Sequence, residues 1–120
     1  MRILGLLVAS GLLVFTLSAC GNSPASSSSL SAKQQGCTAV SDVLADGPDP
    51  DADPVGYAEA QVLPLGQLTL SDATLSQAVH RLAAAYKAFS ATDGAKGTAA
   101  AIKVSVAQRA LNAICPNAAP

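Results

Sequence analysis

Apolar positions in this chain form one long run near the start and three periodic stretches further on, separated by segments rich in Ser, Asp, Pro and Gly. The clearest period belongs to Leu75, Ala78, Val79, Leu82, Ala85, Tyr86 and Phe89, which trace one stripe of an α-helix. Ser71 fits its N-cap, with Leu70 and Leu75 as a hydrophobic staple. The helix is expected to stop near Ala91, before Thr92-Asp93-Gly94. Ser76, Gln77, His80, Arg81 and Lys87 take its polar side.

Upstream, Ser31-Ala32-Lys33-Gln34 reads as a capping box, and Cys37, Val40, Val43 and Leu44 then share one helical face. Gly36 either weakens this helix or permits close approach to a neighbour, and Gly47-Pro48 ends it. Residues 55–70 contain Gly56, Pro64 and Gly66 and hold no period for long. A helical turn or two over Tyr57–Val62 is expected, followed by an apolar strap made of Val62 to Leu65 and Leu68 to Leu70. Downstream, a helix is expected from Ala95 or Thr98 to Ile114. Ile102, Val106, Ala110 and Ala113 lie on one side of it, and Val104, Ala107, Leu111 and Ile114 widen the face past half the circumference. So wide a face calls for two neighbours. Ser105, Gln108, Arg109 and Asn112 form its wet strip, and Lys103 inside the apolar arc is expected to snorkel at the edge.

These elements predict an all-α body, a small antiparallel bundle of three to four helices. Composition agrees: aromatics are 3 % and Trp is absent, so the core must use Leu, Val, Ile and the many alanines that favour helix. A chain of 120 residues holds one such domain, small enough that a covalent staple matters.

The initial run, Ile3 to Leu17, follows a single Arg2 and ends in Leu17-Ser18-Ala19-Cys20-Gly21. A positive start, an apolar centre and small residues make the three-part layout of a secretory signal. A transmembrane helix and an ordinary cleaved signal are the competing readings. Leu17-Ser18-Ala19-Cys20 resembles the lipobox of bacterial lipoproteins. That resemblance implies cleavage between Ala19 and Cys20, a diacylglycerol on the Cys20 sulfur, and palmitate on the new terminus. It places the protein at the cell membrane or outer membrane, on the extracytoplasmic side. The segments then read as signal (1–19), lipidated Cys20 with a Ser-rich tether (20–30), helical domain (31–116) and loose tail (117–120).

Assigning Cys20 to lipid leaves Cys37 and Cys115 as an even pair in an oxidising compartment, which predicts a disulfide. The alternative is two free, buried thiols. Bridging ends this far apart is worth about 4 kcal/mol in the chain-entropy description.

Candidate chemistry adds little. Asp49, Asp51 and Asp53 match the first ligand positions of a calcium loop, but Pro54 stands where the sharp turn needs Gly, and Ala60 stands where a bidentate Glu is required. A Pro-stiffened acidic connector is the favoured reading, with no metal. His80 is the sole histidine and has no acid within its turn, so no catalytic residue is assigned, no cofactor is expected and the chain is not read as an enzyme. Net charge is −1 with no basic cluster, which excludes nucleic acid as a partner and leaves membrane attachment to the lipid on Cys20. What remains is a monomeric, non-catalytic envelope module contacting another protein or the cell wall. The alternative is a carrier holding a small apolar ligand between helices.

Overall fold

The computed structural model describes residues 30–92 and 98–120. The signal run, the Ala19–Cys20 junction, the tether up to residue 29 and the segment 93–97 lie outside the described residues. Four helices follow one another: α1 (Ala32–Ala45), α2 (Pro54–Gln67), α3 (Ala73–Ser90) and α4 (Ala99–Ile114). Among the described residues all regular structure is helical, which makes the body an all-α helical bundle.

Each helix starts on a side-chain oxygen that accepts the backbone N–H three residues on, pairing a donor the first turn otherwise leaves unpaired. Ser31 does this for α1 at 3.2 Å, and Gln34 returns the bond to the Ser31 N–H at 2.9 Å, completing the capping box. Asp53 caps α2, with Pro54 in the first turn, where its missing N–H costs nothing. Thr98 caps α4. For α3 the cap is Asp72, whose carboxylate accepts the Leu75 N–H at 2.8 Å, not the expected Ser71. Both residues can cap, and the buried stripe beginning at Leu75 selects the later one. At the other end of α1, Gly47 sits at φ 111°, a conformation that favours glycine.

The expected strap over 62–70 is absent. Residues 54–67 form a full helix that runs through Pro64. Tyr57, Ala58, Gln61 and Leu65 make its buried stripe, and keeping Leu65 in register outweighs the hydrogen bond lost at Pro64, which is exposed and lies in the final turn. Gln61 hid this stripe in the sequence, since a polar side chain occupies a core position.

Helix α3 is the spine. Leu75, Ala78, Val79, Leu82, Ala85, Tyr86 and Phe89 are all buried, the stripe that its spacing predicts. It packs against α2, α4 and α1. Gly36 lets α1 come close, since a Cβ there would lie 2.6 Å from the Leu75 side chain. Cys37 on α1 and Cys115 just after α4 form a disulfide, with Cα atoms 5.4 Å apart across 78 residues.

Two expectations about the C-terminal part need correction. Residues 117–120 are not a loose tail: Ala118 and Ala119 are buried. Asn112 clamps the Ala119 backbone, donating to its carbonyl at 3.0 Å and accepting its N–H at 2.9 Å. Asn117, at φ 62°, makes the turn back, a conformation Asn tolerates better than most residues. Second, α4 does not find two neighbours for its wide face. Ala107 and Leu111 are buried, but Ile102 is 59 % and Val106 52 % exposed. Helix α4 lies at the edge of the bundle with α3 as its principal neighbour, so half of the apolar arc has nothing to pack against among the described residues.

Candidate functional site

The exposed arc of α4 borders a groove of about 450 Å³ between α3 and α4. Helix α3 contributes Arg81, Ala84, Ala85 and Ala88, which lie at helical spacings on one face. Helix α4 contributes Ile102, Lys103, Val106, Ala107 and Ala110. The floor is shallow because alanine side chains end at Cβ, whereas Ile102 and Val106 stand up one turn apart as a ridge. From residue 81 to 88 the groove follows about 10 Å of helix axis, two turns. Arg81 and Lys103 are exposed at its rim. An open, alanine-floored trough with cations beside it can take up an apolar ridge and pair with acids; no Ser, Thr, Cys, His, Asp or Glu is among the residues that line it.

Sequence reasoning marked Ile102, Val106 and Lys103 but assigned the first two to the core and placed Arg81 on the polar side. Lys103 is exposed, as snorkelling requires. The signal that could have revealed the groove is charge: helices α3 and α4 contain four Lys or Arg and not one Asp or Glu.

A smaller hollow, about 190 Å³, lies where Tyr57, Tyr86 and Phe89 meet α4. The tyrosine rings pack edge to face, with centroids 5.8 Å apart. The Tyr57 hydroxyl donates to the Leu44 carbonyl at 2.8 Å, and Gln108 Nε2 donates to the Tyr86 hydroxyl at 3.3 Å. Burial pushes both phenols above the ordinary tyrosine value, since the ionised form would lose its hydration. They stay protonated and act as structural anchors between α1, α2, α3 and α4. Gln61 has a similar role: its amide donates to the Asp46 carbonyl and holds α2 to the end of α1, while Gln61 Oε1 is buried without a partner.

The other marked residues do not assemble into a site. Asp49, Asp51 and Asp53 are exposed. Asp49 Oδ1 accepts the Asp51 N–H at 2.8 Å and Asp53 caps α2, so two of the three carboxylates are engaged with backbone. No three His, Cys, Asp or Glu side chains gather as metal ligands among the described residues. His80 is exposed on α3. None of the described helices is long and apolar enough to cross a membrane. Ala19 and Cys20 lie outside the described residues. The chain matches no protein-family description, no curated protein and no solved structure.

Proposed function

We propose that this protein is a bacterial envelope lipoprotein, anchored through lipid on Cys20, whose helical body is a non-catalytic module for contacting another protein. The observation that carries the reading is the Cys37–Cys115 bond. It pairs two of the three cysteines, as an oxidising compartment allows, and leaves Cys20 as the remaining one, directly after Leu17-Ser18-Ala19. The helical body begins at Ser31 and Ala32, so the Ser-rich residues after Cys20 serve as a tether of roughly 15–20 Å reach.

The body's own features favour contact over carriage. The interior around α3 is filled by Leu65, Leu75, Leu82 and Leu111, each fully buried. The groove between α3 and α4 is open at the surface and bordered by exposed Ile102 and Val106, the geometry of a docking face and not of an enclosed ligand chamber. Globomycin treatment is expected to accumulate the uncleaved chain, and Cys20→Ala is expected to abolish incorporation of a palmitate analogue. Normal processing with globomycin, or full labelling of the Cys20→Ala variant, contradicts the lipoprotein reading.

A further inference from the structure

Charge divides the described body into two halves. Helices α1 and α2 and the loop joining them carry Asp42, Asp46, Asp49, Asp51, Asp53 and Glu59 against a single Lys33. Helices α3 and α4 carry Arg81, Lys87, Lys103 and Arg109, and the one acid beside them among the described residues is Asp72, the N-cap of α3. The apolar groove lies in this cationic half, and Arg81 and Lys103 stand directly at its rim.

We propose that the groove between α3 and α4 receives an amphipathic helix of a partner protein, with aliphatic side chains on the alanine floor and acidic side chains against Arg81 and Lys103. The proposal rests on the body being an interaction module and names what it binds. Three features select a helix. The apolar arc of α4 is wide enough for two neighbours, and among the described residues α3 is the one helix it packs against extensively. An alanine floor lets a further helix approach at the 8–10 Å typical of packed pairs, where a larger side chain would hold it off. The Ile102–Val106 ridge, one turn apart, is spaced to enter the groove between side-chain rows of an incoming helix.

Other occupants fit less well. In a two-fold dimer the same patch faces itself, which sets Arg81 and Lys103 of one copy against those of the other with no acid on either helix. Residues 1–29 hold Arg2 and no acid, so the chain's own N-terminal segment lacks the complementary charge.

The test uses the full chain reconstituted in phosphatidylcholine nanodiscs and two fluorescent synthetic helices. One carries Leu along one edge flanked by Glu; the other has Lys in place of each Glu. Anisotropy should show binding of the Glu helix and at least tenfold weaker binding of the Lys helix. The R81E/K103E double variant should reverse that preference, with each peptide's affinity changing about tenfold as two rim pairs turn repulsive. Ala88→Trp, which fills the floor, should abolish binding, while the helical circular dichroism of all variants matches that of the parent. Equal binding of both helices, no response to the charge swap, or no binding at all overturns the proposal. Co-flotation of the discs with phosphatidylglycerol vesicles, lost in R81E/K103E and unaccompanied by peptide binding, overturns it in favour of an anionic bilayer. A concentration-dependent dimer broken by Ile102→Glu overturns it in favour of a second copy. Acyl labelling of the same chain scores the lipid anchor separately, so failure of docking and failure of the lipoprotein reading are read independently.

Discussion

Helices α3 and α4 are nearly equal in length and both show broad apolar patterns, yet α3 buries seven side chains and α4 buries two. The difference lies in position and not in sequence character. Helix α3 is surrounded by α1, α2 and α4, so every member of its stripe meets a neighbour. Helix α4 sits at the edge, and its Ile102 and Val106 have none within the described residues. An apolar period states which face seeks a partner; topology decides whether the same chain supplies it. The half left over on α4 is where the groove and its cations are found.

The contrast can be broken at several points. The disulfide holds the end of α4 to α1, which otherwise packs mainly on α2 and α3. Replacing Cys37 and Cys115 by Ala should cost about 4 kcal/mol in denaturant unfolding, for the loop that the bond closes. An unchanged midpoint would mean that α3 alone holds the two ends. Next in size, Leu82→Ala on the spine should cost about 2–5 kcal/mol, whereas Ile102→Ala on the edge should stay within about 0.5 kcal/mol. Similar losses for the two would erase the distinction.

Alkaline pH probes the seam between the helices, where Gln108 of α4 meets Tyr86 of α3. Folded Tyr57 and Tyr86 hold their protons above the ordinary value of 10.0, while the unfolded chain releases them there. The stabilisation from keeping them neutral is therefore complete below about pH 10 and declines as pH rises beyond it. Melting temperature should fall on that limb, and Tyr86→Phe should fall less steeply. A parallel decline for parent and variant would show that the seam does not depend on this phenol. Smaller still, Asn112→Ala should cost about 1–2 kcal/mol by releasing both bonds to Ala119, with faster amide exchange at Ala118 and Ala119.

Much of this fold could be read from the sequence where apolar spacing and capping chemistry agree. The Ser31–Gln34 box, the α3 stripe and the Cys37–Cys115 pair needed only local pattern or cysteine arithmetic. Helix α2 could be read only as a turn or two over Tyr57–Val62, because Pro64 and Gly66 look like breakers and Gln61 interrupts the stripe. Its stability comes from contacts of Tyr57, Ala58 and Leu65 that no local rule contains. The turn-back at Asn117 was hidden for the same reason, since its partner Asn112 lies on the preceding helix. For the groove, the setting was not visible: Ala85 belongs to the apolar stripe, and no local pattern marks Ala84 and Ala88 until α4 stands beside them. The separation of acids from bases was in plain view, and acquires meaning only once α3 and α4 share one surface.

Val106→Asp tests the unpartnered edge of α4 most directly. The substitution puts a charge on the ridge, in a helix whose other contacts are untouched. Denaturant unfolding of the full chain should give a stability within about 0.5 kcal/mol of the parent, as for an exposed position. A loss of about 2 kcal/mol or more would mean that Val106 is core, and that α4 has no free face to offer.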